Sequence, residues 1–188
     1  MLKQFILQSI KETNIFETFV KNIANIKNKT IKELHQQNHT KGNIWEEFCV
    51  EYLKLKNYSN VMLLKNISET RLREMGLSSK DMGIDIIAEK NHKNIAVQCK
   101  FRTKKTVSWK EIATFEALVN RSGPFEEHIV MTNAHYIHRE GKNTKDVNIV
   151  KSTFEKLQRH QWLSLCGIEG KALGGSEINR NAWLRRFG

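Results

Sequence analysis

Three side chains able to bind or polarise a ligand fall in one short stretch, residues 83–102, GIDIIAEKNHKNIAVQCKFR: the carboxylate of Asp85, the amide of Gln98 and the ammonium of Lys100. The stretch reads as two apolar strands, residues 83–89 and 94–101, joined by a polar turn through Lys90, Asn91, His92 and Lys93. Successive side chains of a strand point to opposite faces, so Gln98 and Lys100 share one face and Val97 and Cys99 the other. Asp85 is set among Ile84, Ile86 and Ile87. An acid, an amide and an amine in otherwise apolar strands are costly to bury unless something binds them, so the pattern points to a site.

Periodicity predicts the elements that must hold this stretch. Residues 42–55, GNIWEEFCVEYLKL, form a helix whose apolar stripe is Trp45, Phe48, Cys49, Tyr52 and Leu53. Its two adjacent acids separate: Glu46 lies almost in line with Leu53, and Glu47 falls near the opposite side. Glu46 is the acid that can face inward, the plainer reading being a boundary Glu satisfied by a neighbouring Lys. Upstream, apolar residues over 5–26 recur mostly at intervals of three and four, predicting one or two amphipathic helices, with a helix end and linker over 28–41. Residues 60–64 predict a buried strand, and residues 65–80 a short helix ended by Gly76. Asp81 is either a second acid near the site or an ordinary turn residue.

Downstream, the S-x-x-E pattern of Ser108 and Glu111 opens a helix over 109–121 that ends at Gly123 and Pro124, which makes Glu111 a cap and not a catalyst. A buried strand over 128–132 leads to a polar, basic loop holding His135, His138, Arg139 and Lys142. A last helix is expected over 143–158, with Val147, Val150, Phe154 and Leu157 as its stripe. The closing residues are glycine-rich and then basic, with Trp183 between Arg180 and the pair Arg185 and Arg186, a tail that either docks or catches nucleic acid.

A Glu-bearing helix, then Gly83-Ile84-Asp85 on one strand and Gln98-Cys99-Lys100 on the next, then another helix, resembles the PD-(D/E)XK nuclease superfamily. Within it the pattern is similar to the Mrr-type restriction endonuclease group, over residues 41–158. Two features depart from the wider superfamily: no Pro precedes Asp85, and Gln98 stands where an acid is usual, which leaves one negative charge fewer for an ion. The resemblance implies an α/β fold with a restriction-endonuclease-like core: a mixed central sheet of four or more strands, helices on both faces and a metal site at one sheet end. It divides the chain into a helical N-terminal extension (1–40), a nuclease domain (41–165) and a basic tail (166–188).

The implied activity is hydrolysis of phosphodiester bonds in double-stranded DNA, dependent on Mg²⁺ or Mn²⁺, with products ending in 5′-phosphate. In that reading Asp85 ligates the ion, Gln98 gives its side-chain carbonyl and Cys99 its backbone carbonyl. Glu46, at the position of the family's helical Glu, binds through water or a second ion. Lys100 orients the attacking water and stabilises the charge growing on phosphorus. Arg102, Lys104, Lys105, Arg139 and Lys142 are the expected contacts to the DNA backbone, which position DNA without reading sequence.

Composition agrees with a polyanionic partner. A chain of 188 residues suits one domain, and 31 Lys and Arg against 20 Asp and Glu give a formal charge of +11. The three cysteines, Cys49, Cys99 and Cys166, show no pairing pattern, which points to a reducing compartment. No signal-peptide core and no apolar run of membrane-spanning length is present, so a soluble, intracellular protein without a membrane partner is expected, in the cytoplasm or the DNA-containing compartment. His35 with His39, and His135 with His138, lack the further ligand pair that a closed structural zinc site needs. The motifs of ATPase motors, dinucleotide enzymes and serine hydrolases are missing, so any helicase partner is a separate motor, and a homodimer is the other expected assembly. Two other readings stay open. One is a nuclease-like domain that binds DNA without cutting it, as a module of a larger helicase or restriction assembly; the other is an interaction module in which residues 83–102 are merely a hairpin with a buried Lys-Asp pair.

Overall fold

The hairpin expected between the two apolar runs forms, and a sheet grows outward from it. The computed structural model describes residues 1–26, 31–80 and 83–168. Its strands are β1 Ser59–Leu63, β2 Ile86–Lys90, β3 Lys93–Lys100, β4 Thr106–Val107, β5 Glu127–Thr132, β6 Tyr136–Ile137 and β7 Asp146–Ile149. Five of them make one mixed sheet in the order β1-β2-β3-β5-β7. The first two pairings are antiparallel, and those of β3 with β5 and β5 with β7 are parallel. β4 and β6 form a small parallel pair beside it. Asn91 and His92 turn the β2–β3 hairpin with φ of 52° and 62°, the left-handed backbone that matches the twist of a tight hairpin.

The helices are α1 Leu2–Ser9, α2 Ile15–Ala24, α3 Ile31–Leu55, α4 Glu69–Glu74, α5 Trp109–Arg121, α6 Lys151–Phe154 and α7 Arg159–Leu165. Period two along the strands divides them into two layers. Ile86, Ala88, Ile95, Val97, Ile129 and Met131 share a core with α1, α2, α3 and α7. Ile87, Ala96 and Val130 pack on the other face with Ile112, Phe115 and Leu118 of α5 and Leu72 of α4. Aromatic packing locks the first layer: Phe16 stacks on Phe154 at 5.2 Å and Phe19 meets Phe48 at 4.9 Å.

Two expectations are corrected. The linker expected over 28–41 is, from Ile31, the first part of α3, so the boundary expected near residue 40 falls inside one helix. Residues 31–41 hold no Gly or Pro to interrupt it. The last helix expected over 143–158 is replaced by β7 and the short α6. Val147, Ile149 and Val150 are β-branched, and Val147 and Ile149 alternate with polar neighbours, so the strand period wins over the helical spacing. Asp81 and the tail from residue 169, with Arg180, Trp183, Arg185 and Arg186, lie outside the described residues. Among the described residues no helix is long and apolar enough to cross a membrane.

Candidate active site

Asp85 sits one step beyond Ile86 and Val97, the last paired residues of the hairpin, which makes Gln98 its counterpart on β3. Its backbone N–H donates to the Val97 carbonyl at 2.9 Å, and its own carbonyl accepts from the Leu64 N–H at 2.9 Å, so this residue ties β3 to the segment just past the end of β1. The side-chain Oδ2 accepts the Cys99 backbone N–H at 2.6 Å. The chain reaches this point through Gly83, at φ 128°, where a Cβ would lie 3.1 Å from the backbone of Phe115 on α5. Only glycine combines that conformation with so close an approach.

α3 brings Glu46 to the same end of the sheet. Trp45 is wholly buried among Phe16, Phe48 and Phe154, and its indole N–H donates to the Met131 carbonyl at 3.3 Å, which fixes the rotation of the helix. The next side chain, Glu46, reaches Lys65 at 3.2 Å, and Lys65 also donates to Asn43 Oδ1 at 3.3 Å. Lys65 is 54% exposed and Glu46 23%, so this is a water-accessible and weak pair. One turn on, Cys49 is wholly buried in the core against which Cys99 of β3 packs.

Burial pushes the Asp85 carboxyl up to about 6; the Cys99 N–H opposes the rise, the Glu46 carboxylate adds to it, and the ammonium groups of Lys100 and Lys65 oppose it. Burial also lowers the Lys100 ammonium, as does Arg102, while Asp85 and Glu111 work in the other direction. Asp85, Glu46, Lys100 and Lys65 therefore share one electrostatic environment. Gln98 is 3% exposed, and its Oε1 has no hydrogen-bond partner. An orphaned buried acceptor costs about 1–3 kcal/mol, which calls for a ligand. A hard divalent cation fits: Asp85 and Gln98 would give it oxygen donors, and its charge would offset what burial costs the carboxylate.

A family model of the Mrr catalytic type, described as restriction endonuclease, matches residues 51–162, more than half of the chain. The chain belongs to this family. No curated protein and no solved structure matches. The part of the restriction endonuclease domain that the model matches holds Asp85, Gln98 and Lys100, whereas Glu46, α1 and α2 precede it.

The basic residues expected to contact DNA divide into two groups. Lys104 and Lys105 are exposed in the loop just past Lys100. Arg102 is steered there: its Nε donates to Glu111 at 2.5 Å, its Nη1 to the Phe101 carbonyl at 2.9 Å, and its backbone N–H to Asn133 Oδ1 at 2.7 Å. Glu111 is the expected cap and accepts the Ser108 N–H at 2.8 Å and hydroxyl at 2.9 Å. Burial would raise its carboxyl, but those donors and Arg102 prevail and hold it at about 2.

Arg139 and Lys142 do not lie beside Asp85, Gln98 and Lys100. The Arg139 side chain is 8% exposed and turned inward, on Glu116, on Asp146 at 3.3 Å and on Asn148 Oδ1 at 2.9 Å. Lys142 is exposed but lies in the loop entering β7, where Asp146 pairs with His128; Lys100 pairs with Thr132 at the opposite end of β5. Sequence spacing placed both near a strand end without saying which end.

Two features were missed. Lys65 comes to the site because β1 borders β2, a pairing between distant segments that leaves no local signal. The Glu116, His128 and Asp146 ligand atoms lie within 4.8 Å of one another in the α5 layer, at the end of the sheet away from Lys100. There the Arg139 guanidinium already answers both acids. His128 has its pKa lowered, chiefly by burial, and lies 3.5 Å from Asp146 without hydrogen-bond geometry.

Proposed function

We propose that the protein is a divalent-metal-dependent DNA endonuclease whose site is formed by Asp85, Gln98, Lys100 and Glu46. The observation that carries this reading is the buried, unpartnered Gln98 carbonyl on the strand paired next to Asp85, a carboxyl pushed up to about 6 by burial. Asp85 and Gln98, with the backbone carbonyl of Cys99, would hold Mg²⁺ or Mn²⁺, and Glu46 would bind through water or a second ion after leaving Lys65. When bound, such an ion polarises a phosphoryl oxygen and lowers the pKa of water. Lys100 directs its ammonium at the attacking water and at the charge that develops on the phosphoryl oxygens. Arg102, Lys104 and Lys105 hold the duplex by its phosphates. One site cuts one strand, so cleavage of both calls for a second copy of this chain or a larger assembly with a helicase.

Supercoiled plasmid incubated with the purified protein tests this reading: nicked or linear DNA is expected with Mg²⁺, none with EDTA and none with Asp85→Ala. Intact plasmid under every metal condition overturns it. A second reading, a domain that binds DNA without cutting, is favoured by one observation, the Lys65 ammonium on Glu46 at 3.2 Å beside a site that lacks the usual second acid. A mobility shift without cleavage would decide for it.

A further inference from the structure

α2, which precedes the family match, lines one wall of a basic cleft of 340 Å³. α2 supplies Phe16, Val20 and Lys21; the loop after β3 supplies the facing wall with Arg102, Lys104 and Lys105; His135 and Lys151 come from the segments that follow β5 and β7. All of these loops leave the carboxyl ends of β3, β5 and β7, the end at which Lys100 stands. Among the described residues, Glu17 is the one acid on the cleft wall.

Both walls are tied down by packing and hydrogen bonds. α2 is fixed by the Phe16 and Phe19 ring contacts, and its last residue is held where Lys41 Nζ donates to the Ala24 carbonyl at 2.8 Å. The facing loop is clamped by Asn133, which accepts from the Arg102 N–H at 2.7 Å and donates to the Arg102 carbonyl at 2.6 Å, and by the His135 N–H on the Lys105 carbonyl at 2.8 Å. Lys21, Lys104, Lys105 and His135 are exposed, and Lys151 keeps a loose pair with Glu155 at 3.5 Å. A merely solvated surface spreads its cations apart. Here segments distant in sequence hold like charges across a slot, a repulsive arrangement that a polyanion relieves.

We propose that this cleft binds the phosphate backbone of a DNA duplex and that α2, through Lys21, is a DNA-contacting element of the enzyme. The inference rests on the nucleic-acid reading given above. It assigns a role to α2, which the matched family segment does not include.

Fluorescence anisotropy of a short labelled duplex, titrated in EDTA over a salt series, tests it. Losing one phosphate contact makes the slope of log affinity against log salt shallower by roughly 0.9, which is about an eightfold loss of affinity at about 0.1 M salt. Lys21→Gln and Lys151→Gln are each expected to show that loss. Lys93→Gln, an exposed lysine at the far end of β3, is expected to change neither quantity. An unchanged slope for Lys21→Gln, an equal loss for Lys93→Gln, or no duplex binding by the native protein would each overturn the proposal. Since the titration contains no metal, it is independent of cleavage: a slope change with intact plasmid sinks the nuclease reading alone, and cleavage with an unaltered Lys21→Gln sinks the cleft alone.

Discussion

The Asp85 carboxylate accepts the backbone N–H of Cys99 at 2.6 Å, so the acid on one strand is anchored by the residue that separates Gln98 from Lys100 on the next. That single bond orients the carboxylate without offsetting its burial, and the group remains at about 6 against an ordinary 3.8.

This sets a pH dependence. The folded-state pKa is raised, so the group's favourable contribution is fully present below about 3.8 and is lost as pH rises through about 6. Metal-free protein should lose up to roughly 3 kcal/mol of stability from this group across that window. Asp85→Asn, which keeps an acceptor for Cys99, should remove this dependence and be more stable than the native protein near neutrality by about 1–3 kcal/mol. Urea unfolding in EDTA at several pH values reads both, and parallel curves for the two proteins would contradict the expectation.

Gln98→Glu restores the acid usual in the wider superfamily. Added charge on the ligand set should tighten Mg²⁺ binding about tenfold, a change of roughly 1.4 kcal/mol, and lower the melting temperature of the metal-free protein because a second buried carboxylate lacks a partner. Calorimetric titration together with melts in EDTA would show the two effects moving in opposite directions.

Gly83→Ala places a Cβ 3.1 Å from the Phe115 backbone at a φ that L residues avoid. A loss of about 1–3 kcal/mol is expected in urea unfolding, together with weaker metal binding, because the strain is applied two residues before Asp85.

Arg139→Met should be costly for stability and neutral for DNA. It leaves Glu116 and Asp146 buried without their cation, an effect of roughly 3–5 kcal/mol. The salt slope of duplex binding should stay at the native value. A reduced slope in a folded variant would return Arg139 to the DNA-contacting surface.

Much of this was legible in the sequence where the signal is local. The alternation of Val97, Gln98, Cys99 and Lys100 fixed which faces they occupy, the rotation of α3 separated Glu46 from Glu47, and Ser108 with Glu111 announced a helix start that forms as read. What sequence could not supply depends on contacts between distant segments: β1 beside β2, which delivers Lys65; α2 across from Lys104; and the inward turn of Arg139, since a polar loop shows nothing of its own burial. The misread β7 shows a related limit, in that one short apolar set satisfies both helical and strand spacing until its pairing with β5 decides.

The sharpest measurement is a titration with Mn²⁺, followed by electron paramagnetic resonance of the free ion, on the native protein, Asp85→Asn and Lys100→Ala near neutral pH. One site is expected on the native protein, weakened at least about tenfold by Asp85→Asn and retained or tightened when the neighbouring ammonium is removed. Equal Mn²⁺ affinity in the native protein and Asp85→Asn would contradict the assignment of the site.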